Sequence, residues 1–130
     1  MRYLLDTQII IWALEDNTRI PKAIRTIIDD SRENMFITVV SLWEIAIKRS
    51  IGKLDLNYEL IEIHRQLSER GASILPITVK HLTTNESLQF IDKHRDPFDR
   101  LIISQAMTED MTIITSDPYF EQYSVQVLWQ

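Results

Sequence analysis

The stretch Arg2-Tyr3-Leu4-Leu5-Asp6-Thr7-Gln8-Ile9-Ile10-Ile11-Trp12-Ala13-Leu14 begins as a short apolar strand, passes one acid, and continues as a run that is apolar on nearly every face. A brief β-type run followed by a longer apolar segment reads as a buried strand feeding a packed helix. The acid between them falls at the carboxyl end of the strand, where open α/β sheets place their ligand crevice. Working outward, residues 35–40, 73–75, 111–115 and 124–128 read as further strands beside the first at 2–5. Helices are expected at 8–15, 21–32, 41–50, 57–70 and 78–88, with another beginning at Asp96-Pro97. Pro21 suits a first turn, Asn57 and Thr78 suit caps, and Gly52 and Gly71 suit helix ends. A charged loop at 92–95 and a short turn or helix at 118–122 complete the chain. Strands alternating with helices predict an α/β fold: one domain over residues 1–130, with a central, mostly parallel sheet of about five strands and helices on both faces.

Composition narrows the function classes. The absence of cysteine removes disulfides, thiolate nucleophiles and sulfur-bound zinc, and suits a reducing compartment. The start of the chain leaves no room for a secretion signal, and the apolar run at 9–14 is far below the roughly 20 residues that span a bilayer. A soluble cytoplasmic protein without membrane contact is expected. The net charge of −5 argues against nucleic-acid binding through a broadly basic surface, but not against a nuclease whose acids hold metal.

Four acids stand at related junctions: Asp6, Glu44, Asp99 and Asp117. Each has an ordinary structural explanation. Asp6 can cap the helix that follows it, and Glu44 has capping-box spacing from Ser41. Asp117 precedes Pro118 as Asp96 precedes Pro97, both good cap pairs. If Asp96 caps, Asp99 is free to point from the first turn towards the crevice. Caps have no reason to prefer acids at four related places, since Ser and Thr serve equally well and occur beside them at Thr7, Ser41, Thr115 and Ser116. Four carboxylates sharing one pocket need a cation. Hard oxygen ligands without His or Cys select Mg²⁺ or Mn²⁺, which points to phosphodiester chemistry.

At these residues the chain resembles the PIN-domain ribonucleases, and within them the toxin subunits of VapBC toxin–antitoxin pairs. The matching pieces are Leu4-Leu5-Asp6-Thr7, Ser41-Leu42-Trp43-Glu44-Ile45, the run from His94-Arg95-Asp96-Pro97-Phe98-Asp99-Arg100 through Ala106, and Thr115-Ser116-Asp117 followed by Phe120. The resemblance implies a PIN-like fold in which Asp6, Glu44, Asp99 and Asp117 are the metal-binding and catalytic acids. Thr7, Asp96, Thr115 and Ser116 would support them. It also implies endonucleolytic hydrolysis of RNA leaving a 3′-hydroxyl and a 5′-phosphate, a homodimer, and a cognate antitoxin lying over the acidic pocket.

Arg95 and Arg100 rank first as contacts to RNA phosphates, followed by Lys48, which also has helical spacing to pair with Glu44. His64, His81 and His94 raise a metal-free acid–base alternative that needs two imidazoles close together. The helices carrying Ile9 to Leu14 and Leu42 to Ile51 are apolar too widely for one core stripe, so a second subunit or bound peptide is expected over them, unless other helices of the same domain cover them. Three other classes compete with the nuclease, and one of them, an inactive binding module, requires all four acids to be mere caps. A phosphatase of haloacid dehalogenase type needs a second acid two residues after Asp6, where this chain has Gln8. A receiver-like regulatory domain needs an acid pair after the first strand and a lysine near the last, and residues 111–117 contain no lysine.

Overall fold

Tyr3–Leu5 (β1), Met35–Thr38 (β2), Ser73–Leu75 (β3), Thr112–Ile114 (β4) and Val127–Leu128 (β5) pair in the order β3-β2-β1-β4-β5, and every pairing is parallel. The computed structural model describes residues 1–91 and 95–129, so most of the expected charged loop, and His94 with it, lies outside the described residues. The helices are Thr7–Leu14 (α1), Lys22–Asp30 (α2), Val39–Ser50 (α3), Leu60–Glu69 (α4), Val79–Glu86 (α5) and Pro97–Glu109 (α6). Among the described residues no helix is long and apolar enough to cross a membrane.

Successive strand side chains point to opposite faces, so a central strand apolar at consecutive positions needs cover on both sides. Leu5 and Ile114 pack into one core with Ile9 and Ile10 of α1, Ile24 of α2 and Ile63 and Leu67 of α4. Leu4 and Ile113 pack into the other with Ile102, Ile103 and Ala106 of α6 and with Phe120. The expected two-faced sheet is therefore present. Its carboxyl-end crevice opens between β1 and β4, where the Asp6 N–H donates to the Ile114 carbonyl at 3.0 Å.

Several element ends differ from expectation for local reasons. The Thr38 hydroxyl accepts the Val40 N–H at 3.1 Å, so β2 ends at Thr38 and α3 begins at Val39 rather than at 41. Ser41 is consequently inside the helix, and no capping box joins it to Glu44. The expected Asn57 cap is also absent, because α4 starts at Leu60 after Glu59, which makes no side-chain cap bond. Thr78 does cap α5, with His81 as its reciprocal partner.

The expectation of external cover separates into two outcomes. Ile9, Ile10, Ile11, Ala13 and Leu14 are buried within this chain, so α1 needs no partner. On α3, by contrast, Val39, Trp43, Ile47 and Ile51 form an exposed stripe, with Trp43 51% and Ile51 59% accessible.

Gly71 closes α4 at φ +92°, and a Cβ built there would lie 3.0 Å from the Arg32 Cβ. Gly52 also has positive φ, +74°, but faces open space. Gly71→Ala is expected to lower unfolding free energy by about 2 kcal/mol in urea titrations, and Gly52→Ala by only about 1 kcal/mol, because the second substitution meets backbone strain without a clash.

Candidate metal centre

Asp6 stands where β1 becomes α1. Its Oδ1 accepts the Thr7 N–H at 2.8 Å and its Oδ2 accepts the Thr115 hydroxyl at 2.9 Å. Capping and crevice-lining are thus performed by one buried carboxylate. The Thr115 Oγ1 in turn accepts the Asp117 N–H at 3.0 Å, which ties the ends of β1 and β4 together. Asp117 spends Oδ1 on the Tyr119 N–H at 2.9 Å, its expected cap bond. Across the crevice, the Thr7 hydroxyl donates to Ser41 Oγ at 2.9 Å and joins α1 to α3. That bracing role for Ser41 was not visible in its spacing to Glu44.

On α6 the division between the two acids is explicit. Asp96 Oδ1 accepts the N–H groups of Phe98 and Asp99 at 2.9 and 3.1 Å. Asp99, one turn into the helix, lines the crevice. Asp6, Thr7, Glu44, Lys48, Asp96, Asp99, Ser116 and Asp117 all border this one cavity of about 260 Å³. Gln8 and Ile11, which sequence reasoning did not single out for the site, also border it.

The electrostatics are those of crowded anions. Burial first, then the charges of Asp99 and Glu44, push the Asp6 carboxyl up to about 7 against hydrogen bonds from Thr115 and Thr7 that act the other way. Asp99 is likewise pushed up to about 7, by burial and then by Asp96, Glu44 and Asp117. Lys48 Nζ lies 2.6 Å from Glu44 Oε2. Burial opposes the charge on that ammonium, but the bond to and charge of Glu44, with Asp96 and Asp99 farther off, hold its pKa above the ordinary value.

The donor set fits a hard divalent cation. Glu44 is buried, and among the described residues its Oε1 finds no hydrogen-bond donor, an expensive state for a carboxylate oxygen unless a cation meets it. Among the described residues no three acidic or imidazole side chains close into a ready-made cage. Mg²⁺ does not require one, because it binds through one or two carboxylates and keeps its remaining places for water and phosphate oxygens.

Of the expected phosphate contacts, Lys48 reaches the crevice and is engaged with Glu44. Arg95 is exposed, with its guanidinium over the Phe90 ring at 4.3 Å. Arg100 must be corrected: it is buried, and it donates to the carbonyls of Leu88 and Gln89 at 2.8 and 3.0 Å and to the Tyr123 hydroxyl at 3.4 Å. It fastens the segment after α5 to α6 rather than facing RNA. His81 is fully buried between Thr78 and Glu109, and neither it nor His64 borders the crevice.

Residues 3–126 match the family model of the PIN domain, and the chain belongs to that family. Its fold is similar to a chain of VapBC2 from Rickettsia felis, solved with a promoter DNA fragment, at TM-score 0.71 and 19% identity over 100% of both chains. It is also similar to DNA-bound VapBC from Salmonella typhimurium, at TM-score 0.72 and 15% identity over 98% of this chain and 97% of that one. VapBC-1 from nontypeable Haemophilus influenzae gives TM-score 0.67 and 23% identity over 98% and 97%. No curated relative matches the chain by sequence.

Two outcomes follow from this geometry. Arg100→Ala removes the charge-assisted bonds to the Leu88 and Gln89 carbonyls and should cost about 2–3 kcal/mol in urea denaturation. For Asp99, the folded protein holds its proton from the ordinary 3.8 up to about 7. The folded state therefore binds more protons than the unfolded chain in that window, and metal-free stability falls as pH rises through it. Asp99→Asn should match the wild type near pH 3.5 in EDTA and exceed it at pH 8 by an amount on the order of 1–3 kcal/mol.

Proposed function

We propose that this chain is a metal-dependent endoribonuclease, the toxin of a toxin–antitoxin pair, which hydrolyses RNA phosphodiester bonds with Mg²⁺ or Mn²⁺. The observation that carries the reading is the meeting of Asp6, Glu44, Asp99 and Asp117 around one small polar crevice, with Glu44 Oε1 buried and without a donor among the described residues. PIN-family membership and the likeness to VapBC chains support it.

In this reading Asp6, Glu44 and Asp99 hold the metal and Asp117 assists from the β4 side. When bound, the metal supplies Lewis-acid activation of water and charge stabilisation at the scissile phosphate. The protein's part is positional. Thr115 orients the Asp6 carboxylate and Asp117 together, Thr7 and Ser41 fix the distance between α1 and α3, and Asp96 anchors the turn that presents Asp99. Ser116 lines the same wall. Lys48, already among the acids, and the exposed Arg95 are the cations placed to meet phosphate oxygens. Two carboxyls poised near 7 exchange protons for metal at physiological pH, so metal binding should release protons.

The exposed α3 stripe supports a protein partner. An antitoxin segment covering Trp43, Ile47 and Ile51 would lie one helical face from Glu44 and close the crevice, and a second copy of the chain is the competing occupant. Operation in the cytoplasm, as a homodimer, belongs to the same proposal.

Purified protein should cleave RNA with Mg²⁺ and stop on addition of EDTA. Asp6→Asn and Asp99→Asn should each lower the rate by about 100-fold or more while remaining folded. Equal cleavage by all three proteins, or undiminished cleavage in EDTA, would sink the proposed site.

A further inference from the structure

A second cavity, of about 620 Å³, has no part in the acidic crevice. It opens between α2 and the C-terminal end of α4. We propose that it binds a small organic anion with an apolar body, an alkyl or aryl carboxylate or phosphate.

The floor is apolar and deep. Leu5, Met35 and Leu67 are 3%, 3% and 4% accessible, yet all three line the cavity, so it reaches the sheet itself. The space exists because α2 is incompletely seated. Ile24 is its one buried residue, while Ile27 and Ile28 are only partly buried against the core. A void of this size lies within the roughly 300–1,000 Å³ of small-molecule sites.

The rim has the opposite character. Lys22, Arg25, Arg32 and Arg70 border the opening against two carboxylates, Asp16 and Asp29, in a chain whose net charge is −5. Their existing partners are weak. Arg25 meets Asp16 at 3.7 Å, and that acid is 84% exposed. The Arg32 Nε donates to the Asp29 carbonyl at 3.3 Å, and Arg70 Nη1 reaches the Ala13 carbonyl at 3.5 Å. Each guanidinium retains donors for an anion.

Gly71 supplies an independent indication of shape. A side chain there would strike Arg32, so its absence lets the Arg32 stem pack against the end of α4 beside Arg70. Arg32 and Arg70 border the same cavity, and like charges around one void favour an anion inside it. An apolar floor beneath a cationic rim selects a ligand with one anionic end and one greasy end. The proposal stands apart from the nuclease reading and survives its failure.

The test uses the full chain carrying ¹³C-methyl methionine, titrated with decanoate, decyl phosphate and, as the neutral control, decanol. Met35 should shift saturably with at least one of the two anions, while Met107 and Met111, on the α6 side, stay unmoved. Decanol should bind at least tenfold more weakly, and the double variant Arg32→Glu/Arg70→Glu should lose at least tenfold in affinity. If that variant fails to fold, Arg70→Gln, at an exposed side chain, should lose at least threefold. Comparing the two heads distinguishes a carboxylate from a phosphate ligand. An unmoved Met35, equal binding of decanol, or unchanged affinity in the charge variants would overturn the proposal. So would a Met35 response to an acidic amphipathic peptide with none to either small anion, which would assign the cavity to a protein partner.

Discussion

Everything at the carboxyl edge of the sheet depends on one carboxylate bonded in two directions. Asp6 takes the first N–H of α1 and the hydroxyl of Thr115, and so fixes where α1 leaves the sheet and how β4 ends beside β1. A helix N-terminus and a hydroxyl are the two groups best suited to steady a buried negative charge. They are outweighed all the same. Burial and the neighbouring Asp99 leave Asp6 with a raised pKa, so the fold retains an anion it holds only with difficulty. Strongly perturbed carboxyls of this kind cluster at functional sites, and apolar cores on both faces of β1 surround this one.

How much of this was legible in the sequence differs by residue. The five strands, the parallel sheet and the Asp96 cap could be read because each rests on local grammar: short apolar runs, alternating elements, Asp before Pro. Asp99 followed from the cap, since Asp96 before Pro97 closes the helix start and leaves the next acid to other work. Glu44 was harder. Its spacing from Ser41 imitates a capping box, and only the competing cap at Thr38, three residues earlier, puts Ser41 inside the helix and frees Glu44 from capping. Cap competition of this kind depends on where β2 ends, and that is decided by pairing with β1 and β3 rather than by residues 38–44.

Arg100 shows the opposite failure. Next to an acid of the site, an arginine reads as a phosphate contact. Its position on α6 turns the side chain instead towards Leu88, Gln89 and Tyr123, residues 11 to 23 positions away that no local pattern links to it. The α1 run misleads for a related reason. Apolar residues on every face suggest a partner, but a helix lying between the sheet, α2 and α3 is enclosed by its own chain. Sequence reports how much cover a helix needs and is silent about who provides it.

Lys48 unites the electrostatics of the crevice. Its ammonium sits 2.6 Å from one Glu44 oxygen, and the other has no donor among the described residues, so the cavity holds one cation against the carboxyls of Asp6, Glu44, Asp96, Asp99 and Asp117. Lys48 is tethered by a flexible stem and its side chain is 43% exposed, which lets it leave the acids without unfolding anything. Any divalent ion entering the crevice competes with an ammonium for Glu44 and with protons for Asp6 and Asp99. Metal affinity in such a crevice depends on how easily these internal competitors depart as well as on the acids, and the protons depart more readily as pH rises through 7.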